Sequence, residues 1–299
     1  MTPDTGAGAH PEDSGRAPPP ELEQARDELA RSRGVVVLTG AGISAASGIP
    51  TFRDAGGLWE GNRVEELATP EGFRADPVRV WAWYAVRRAA IRKAGPNEAH
   101  RAVARFQLGR DDVTVVTQNV DGLHDRALRD ESGEYDVPSG APTGEPGGIT
   151  GGGEGEAPHK PSPILSLHGS ILRVRCNGCG AHPATEPPAL EEPGGNPVPR
   201  CESCGDLLRP DVVWFGEFLP ETILEAAFEA ARGAELCISV GTSALVHPAA
   251  SVPLETLRAG GRLWEVNPDE TPLSAHAHRH FAGEAHRVLP ALLGSPGCG

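Results

Sequence analysis

Two pairs of cysteines in the middle of the chain place the strongest constraint on its fold. Cys176 and Cys179 form one C-x-x-C pair, Cys201 and Cys204 form the other, and 21 residues separate the pairs. Together they offer four thiolates, which is the ligand set of a tetrahedral structural zinc ion. The segment between them is rich in proline and can bury little apolar surface, so a metal would supply the missing folding energy. The sequence therefore predicts a small zinc-binding domain around residues 171–210.

The remaining two cysteines lie away from this site. Cys237 falls in a predicted buried strand and Cys298 in the tail over 294–299. A redox pair or two unrelated thiol pairs are the alternatives to zinc. The N-terminus lacks the apolar segment of a secretory signal, and the chain has no apolar run of 18 residues that could cross a membrane. We therefore expect a cytoplasmic protein, in which paired cysteines bind metal more often than they form disulfides.

Short apolar runs alternate with helical patterns through the rest of the chain. The runs are rich in β-branched residues, and each ends in small or polar residues, at 35–38, 113–117 and 236–241. Helical patterns cover residues 21–33, 78–94, 99–108 and 221–232. This alternation predicts an α/β protein with a Rossmann-like parallel sheet, helices on both faces and ligands at the carboxyl ends of the strands. The zinc-binding domain would be the smaller of the two.

Two segments cannot contribute to a core. Residues 1–20 contain five prolines, and residues 130–163 contain nine glycines, six prolines and seven acids. We expect a disordered N-terminal extension and a flexible insert, with the folded domain over 21–293. The net charge of the chain is −14. An acidic chain repels phosphate backbones, so we expect no specific binding of nucleic acid.

A glycine-containing turn follows the first predicted strand directly, with the sequence Gly-Ala-Gly-Ile-Ser at 40–44. Glycines at this place let the backbone approach a pyrophosphate closely. Ala45 replaces the last glycine of the dinucleotide fingerprint, so a tight strand-to-helix turn is the alternative. The segment over 47–54 contains Phe-Arg-Asp after a glycine and a proline, which is typical of a loop that closes over a ligand.

Several motifs together resemble the sirtuins, the NAD-dependent protein-lysine deacylases. They are Gly-Ala-Gly-Ile-Ser at 40–44, Gly-Ile-Pro-Thr-Phe-Arg-Asp at 48–54, Thr-Gln-Asn-Val-Asp-Gly-Leu-His at 117–124, Leu-His-Gly-Ser at 167–170, the cysteine pairs, Val-Val-Trp-Phe-Gly-Glu at 212–217 and Gly-Thr-Ser at 241–243. Their order is that of the family, and the resemblance spans about residues 30–293 apart from the insert. It implies that NAD and an acyl-lysine protein meet between the two domains.

The resemblance also assigns roles to individual residues. His168 is expected to be the general base, a task that suits a side chain with an ordinary pKa near 6.5. Val213 and Phe215 are expected to hold the acyl-lysine peptide. The expected products are free lysine, nicotinamide and O-acyl-ADP-ribose. Contacts to NAD are expected from Gly40, Ala41, Gly42, Ile43, Ser44, Thr51, Phe52, Arg53, Gln118, Asn119, Val120, Asp121, Gly241, Thr242, Ser243, Asn267 and Ala285. His124 is a candidate cap for the turn after Asp121.

The helix predicted over 78–94 contains the residues that bear on which acyl group is removed. Tyr84 and Arg87 lie three residues apart on one face of it. At this place they resemble the Tyr-x-x-Arg pair of class III sirtuins, which remove succinyl and malonyl groups. A guanidinium can bind a carboxylate with two hydrogen bonds, and a phenol adds a third. Ala55 is small and would leave room for a longer acyl chain. The alternative is that Arg87, Arg88 and Arg92 form the solvent-exposed side of an ordinary helix.

Three other functions are compatible with parts of this pattern. A dehydrogenase would need the missing third glycine and gives the cysteine pairs no role. An ADP-ribosyltransferase would use the same cleft but leave ADP-ribose on protein. A zinc-containing interaction protein without turnover would not need the polar motif at 117–124 or His168.

Overall fold

The computed structural model of the chain describes residues 20–51, 58–59, 62–133, 164–184 and 198–294. Most of the predicted N-terminal extension and insert, and the tail from residue 295, lie outside these ranges. Two predicted boundaries are wrong. Residue 20 already belongs to the first helix. Residues 130–132 complete a helix that ends at Gly133, whose φ of 66° is the left-handed conformation that glycine favours after a helix.

The described ranges contain the following elements, numbered in chain order. The strands are β1 (Val35–Thr39), β2 (Leu58–Trp59), β3 (Asn62–Arg63), β4 (Val113–Thr117), β5 (Leu165–Ser166), β6 (Gly169–Cys176), β7 (Leu208–Val212), β8 (Leu236–Val240), β9 (Arg262–Asn267) and β10 (Arg279–Ala282). The helices are α1 (Pro20–Arg31), α2 (Val64–Leu67), α3 (Pro70–Ala75), α4 (Pro77–Lys93), α5 (Glu98–Leu108), α6 (Leu123–Ser132), α7 (Glu221–Gly233), α8 (Val252–Arg258) and α9 (Ala285–Leu293).

Six strands form one parallel sheet in the order β10-β9-β8-β1-β4-β5. The predicted strands are β1, β4 and β8, and β1 lies between the other two, with Val35 opposite both Val113 and Leu236. All five residues of β1 are buried, which explains its unbroken apolar run. After β1, the next strand of the sheet along the chain is β4 on one side of β1, and the following part of the chain adds β8 on the other side. Open α/β sheets bind ligands at the carboxyl ends of the strands where the strand order reverses in this way.

Helices cover both faces of the sheet, as predicted. Side chains of α1, α5, α6 and α9 pack on one face, including Leu29, Val103 and Leu289. Side chains of α7 and α8 pack on the other, including Ala227 and Val252. The sequence prediction of an α/β protein with a Rossmann-like parallel sheet and a smaller domain with the four cysteines is therefore confirmed.

The smaller unit combines α2–α4 with the antiparallel pair of β6 and β7, around its own apolar cluster. Arg88 of α4 is fully buried there and donates hydrogen bonds to the carbonyl groups of Ile171 and Leu172 in β6. Arg87 is buried as well. The alternative that these arginines form the solvent-exposed side of the helix is therefore wrong for Arg87 and Arg88. Arg88 instead uses its charge to satisfy backbone carbonyls and ties the helix to the strand pair.

No helix in the described part of the chain has the length and apolar character needed to cross a membrane.

Candidate active site at the carboxyl edge of the sheet

The turns after β1 and β8 touch each other through their backbones. The amide of Gly42 donates to the carbonyl of Gly241 at 2.8 Å. A Cβ on Gly42 would lie 2.7 Å from Gly241 Cα, and a Cβ on Gly241 would lie 2.7 Å from Ile43 N. Gly40 is packed as tightly, since its Cβ would lie 2.8 Å from Thr242 Cβ. These glycines thus permit contact between the two turns, a role that the dinucleotide pattern alone does not reveal.

Polar side chains after β4 join the same two turns. Gln118 Nε2 donates to Thr242 Oγ1 at 2.9 Å. Asn119 Nδ2 donates to the carbonyl of Gly40 at 3.2 Å and to Ser44 Oγ at 3.1 Å. Three of the sequence motifs expected to contact NAD therefore meet at the carboxyl edge of the sheet.

Ser44 connects this edge to two buried groups. Its hydroxyl donates to Asp121 at 2.7 Å and lies 3.4 Å from His100 Nε2. The amide of Asn97 donates to His100 Nδ1 at 3.3 Å, so the ring proton sits on Nε2 and is donated to Ser44. Burial lowers the pKa of His100 to about 2, which keeps the ring neutral. Burial raises the pKa of Asp121, and the hydrogen bond from Ser44 opposes that rise.

His124 contacts the end of β1, just before the glycine turn. Its Nε2 lies 2.9 Å from Thr39 Oγ1, which in turn donates to Thr117 Oγ1 at 2.9 Å. Burial lowers the pKa of His124 to about 4. The expectation that His124 caps the turn after Asp121 is wrong, because the Asp121 side chain itself accepts the hydrogen bond from the amide of Leu123.

The residues expected near the adenosine half also gather here. Asn267, at the end of β9, donates from Nδ2 to the carbonyl of Thr242 at 2.9 Å. Its own carbonyl accepts from the amide of Gly283 at 3.2 Å, two residues before Ala285 begins α9. Ser243 follows Thr242 and is half-buried. The edge formed by β8 and β9 thus places these expected contacts side by side.

His168 lies in the short connection between β5 and β6 and contacts Gln118, the residue that follows β4. Its Nδ1 donates to the carbonyl of Gln118 at 2.8 Å. Because a carbonyl only accepts, Nδ1 carries the ring proton and Nε2 keeps the lone pair that can accept another. Burial lowers the pKa of His168, and the hydrogen bond to Gln118 opposes that shift. The geometry therefore holds a neutral imidazole that can act as a base.

The segment after β7 runs beside His168. The amide of Val213 donates to the carbonyl of His168 at 3.0 Å, and the amide of Phe215 donates to that of Ala68 at 2.9 Å. The Phe215 side chain is 48% exposed. Between them, the indole N–H of Trp214 donates to the Tyr84 hydroxyl at 2.9 Å. Trp214 thus connects the two residues expected to hold the peptide to the helix expected to bind the acyl group.

Tyr84 and Arg87 lie on the buried side of α4. Tyr84 is 4% exposed and Arg87 is 8% exposed. The Arg87 guanidinium carbon lies 3.3 Å from the centroid of the Trp83 ring, and the Tyr84 ring meets Trp83 edge-on at 4.7 Å. Burial raises the pKa of Tyr84, so its hydroxyl keeps its proton at physiological pH. A positive charge and a hydroxyl group are therefore held on one rigid helical turn.

Some expected contacts are not side-chain contacts, and others lie outside the described residues. The side chain of Ile43 is fully buried in the core, so only its backbone could face NAD. Val120 is half-buried, and its carbonyl accepts from the amide of Ile171. Thr51 is half-buried at the edge of a described range, and Ala41 lies in the turn after β1. Phe52, Arg53 and Ala55 lie outside the described residues.

The four cysteines form one cluster, with their sulfur atoms within 4.8 Å of one another. Cys176 Sγ lies 3.4 Å from Cys204 Sγ, and Cys179 Sγ lies 3.7 Å from Cys201 Sγ. Four Zn–S bonds of about 2.3 Å at tetrahedral angles place sulfur atoms about 3.8 Å apart. The cluster therefore fits a structural zinc ion, and four thiolates leave it no open position for catalysis.

Two similar turns present these cysteines. The amides of Gly180 and Gly205 donate to the carbonyls of Cys176 and Cys201, and both glycines have a positive φ, at 74° and 77°. The metal site is thus built from two copies of the same local geometry, which the Cys-x-x-Cys-Gly sequence at 176–180 and 201–205 encodes.

Sequence reasoning missed the residues that support the site from beneath. Among them are Thr39, Asn97, His100 and Trp214. One signal was available, because Asn97 begins α5 and its side chain accepts from the amide of Ala99, while the His100 ring accepts from Asn97. This arrangement is a capping box in which histidine takes the place of the usual acid.

Comparison with known proteins shows the family of the chain. Residues 40–131 and 156–248 match the model of the Sir2 family. The NAD-dependent protein deacylase 1 of Archaeoglobus fulgidus is 42% identical over 265 residues, which are 89% of this chain and 94% of the relative. The chain belongs to the Sir2 family.

Solved Sir2 structures share the fold. A mutant Sir2 homologue in complex with 2′-O-acetyl-ADP-ribose is 41% identical, with a TM-score of 0.72 over 91% of this chain and 94% of the other. A Sir2 protein bound to an acetylated peptide is 28% identical, with a TM-score of 0.71 over 91% of this chain and 97% of the other. The fold of this Sir2 protein is thus shared with proteins solved in complex with 2′-O-acetyl-ADP-ribose and with an acetylated peptide.

The cysteine cluster gives a direct prediction about metal content. The wild-type protein is expected to hold one zinc ion per chain, measured by elemental analysis after gel filtration. Cys204→Ser removes one of four thiolates and is expected to lower zinc affinity at least about tenfold. Cys237→Ala is the matched control, since Cys237 is buried in β8 outside the cluster. Equal zinc content in all three proteins would contradict the assignment.

Proposed function

We propose that this Sir2 protein is an NAD-dependent protein-lysine deacylase that removes succinyl and malonyl groups as well as acetyl groups. NAD is its cosubstrate, and acylated-lysine proteins are its partners. The deacylase activity follows from family membership and from the similarity to a named deacylase over most of both chains. The observation that carries the acyl preference is the buried pair of Tyr84 and Arg87, which Trp214 joins to the Val213–Phe215 segment.

Arg87 is the main reason to expect a carboxylated acyl group. A guanidinium stacked on Trp83 in a buried position remains charged and can donate two parallel hydrogen bonds to a carboxylate. The Tyr84 hydroxyl, one turn earlier, can donate a third. A succinyl or malonyl group ends in such a carboxylate, whereas an acetyl group offers nothing for these donors to bind. The pair therefore favours acyl groups with a negative end.

The carboxyl edge of the sheet is proposed to hold NAD. The turns over 40–44 and 241–243 are assigned to its phosphates, Gln118, Asn119, Val120 and Asp121 to the nicotinamide and ribose, and Asn267 and Ala285 to the adenosine half. Thr51, Phe52 and Arg53 are assigned to the reacting sugar. When bound, NAD supplies the ribose carbon that the acyl oxygen attacks as nicotinamide leaves. Val213 and Phe215 align the peptide for that reaction.

His168 is the proposed general base. Its Nδ1–H is fixed on the carbonyl of Gln118, which leaves Nε2 to take a proton from a ribose hydroxyl. The hydrogen bond also prevents the ring from turning. Because the base must be neutral, a lowered pKa keeps it active at lower pH than an ordinary histidine.

His168→Ala is expected to reduce deacylation at least about 100-fold, since a positioned base contributes 10²–10⁴-fold. Peptide deacylation is followed by mass spectrometry, with zinc content and thermal unfolding unchanged. In the wild type, the acidic limb of kcat/KM is expected below pH 6.5, because the pKa of His168 is lowered. His286→Ala in α9 is the control. Full activity of the His168 variant would overturn the assignment, as would an acidic limb that persists unchanged in that variant.

Arg87→Met tests the acyl preference. Loss of a charged bidentate contact of about 1.5–3 kcal/mol should lower kcat/KM for a succinylated peptide by about 10- to 100-fold. The value for the acetylated form of the same peptide should change less than about threefold. Arg92→Met, an exposed position on the same helix, should change neither. Equal losses with both peptides would mean that Arg87 supports the helix and does not bind the acyl group.

A further inference from the structure

The Tyr84 hydroxyl has a partner that determines how it can be used. Trp214 Nε1 lies 2.9 Å from the Tyr84 oxygen, and both side chains are buried. An indole N–H can only donate, so the phenol oxygen must accept this hydrogen bond. The phenol proton therefore points away from Trp214 and remains to be donated elsewhere. A hydroxyl group that could otherwise donate or accept thus becomes a donor toward whatever occupies the site.

The indole that imposes this direction is itself held tightly. The Arg209 guanidinium carbon lies 3.2 Å from the centroid of the Trp214 ring. Arg209 pairs with both carboxylate oxygens of Glu217 at 2.6 Å and 2.9 Å and donates to the carbonyl of Val212 at 2.9 Å. Glu217 also accepts from the backbone amide of Trp214 at 2.8 Å. The ion pair between buried Arg209 and half-buried Glu217 therefore fixes both the ring and the backbone of Trp214.

The surrounding charges are consistent with a role in binding an anion. The positive charges of Arg209 and Arg87 both act on the Tyr84 hydroxyl, and the negative charge of Glu217 that opposes them is paired with Arg209. The hydroxyl proton is directed away from the indole, and the Arg87 guanidinium lies one turn along the same helix, so both side chains offer hydrogen-bond donors. Such a pair stabilises a carboxylate and gains nothing from a methyl group.

We propose that Trp214 is a positioning residue for acyl recognition, whose indole N–H orients the Tyr84 hydroxyl to donate to the terminal carboxylate of a succinyl or malonyl group. This inference rests on the proposed function and deepens it. Trp214 acts through Tyr84, and Arg209 and Glu217 act through Trp214. The specificity of the site thus extends to residues in β7 and in the segment that follows it, which need not touch the acyl group.

The test compares Trp214→Phe with the wild type on succinylated and acetylated forms of one peptide. Loss of one orienting hydrogen bond should raise KM for the succinylated peptide by about 3- to 10-fold, with kcat and the KM for the acetylated peptide changed less than twofold. In a Tyr84→Phe background the same substitution should have no further effect on the KM for the succinylated peptide. Trp264→Phe, a buried tryptophan in β9, is the matched control and should leave both KM values unchanged.

Three outcomes would overturn the proposal. They are equal rises in KM for both peptides, additive effects of the Trp214 and Tyr84 substitutions, and an unchanged KM for the succinylated peptide. If Trp214→Phe does not fold, Trp214 is replaced by its benzothiophene analogue, which lacks the N–H and keeps the ring shape. The KM values expected for this protein are those given above for Trp214→Phe. The wild-type protein is assayed first. If it leaves succinylated peptides intact, the proposed acyl preference itself is refuted, and this result is separate from any result with the Trp214 variants.

Discussion

The backbone contact between the turns after β1 and β8 is the constraint on which the rest of the site depends. Gly42 and Gly241 approach so closely that a side chain on either would overlap the other turn. This approach lets Gln118 reach Thr242 and lets Asn119 reach Gly40. The carboxyl edge is therefore a single hydrogen-bonded surface formed by three separate segments, and a cofactor that contacts one turn contacts a rigid assembly.

Beneath this surface, burial fixes the protonation of the two histidines and, for His100, thereby the direction of its hydrogen bond. His100 and His124 are neutral because charging them inside the protein is unfavourable, and His100 then donates its one ring proton toward Ser44. Ser44 Oγ accepts the hydrogen bond from His100 and donates its own hydrogen bond to Asp121. The orientation of Ser44 and Asp121, which are both proposed to contact NAD, is thus determined before NAD arrives, which is the condition for electrostatic preorganisation.

Much of this architecture could be predicted from the sequence, for identifiable reasons. Strands β1, β4 and β8 are buried on both faces, so each appears in the sequence as a nearly continuous apolar run. The spacing of the cysteine pairs is enough to predict a zinc site. Strand β9 was missed because buried Glu265 interrupts its apolar run, and the hydroxyls of Thr271 and Ser274 that bind this carboxylate come from a later loop. The burial of Arg88 was missed for the same reason, since its partners are carbonyls of β6. Partners distant in sequence leave no local pattern.

The central claim is that this Sir2 protein uses NAD to remove carboxylated acyl groups from lysine. The most direct measurement is mass spectrometry of one peptide in acetyl, malonyl and succinyl forms, incubated with the wild-type protein with and without NAD. The account predicts that all three groups are lost only when NAD is present, with nicotinamide and O-acyl-ADP-ribose formed in equal amounts. Loss of the acetyl group alone would contradict the carboxylate preference. Intact peptides with ADP-ribose attached to protein would contradict deacylation itself.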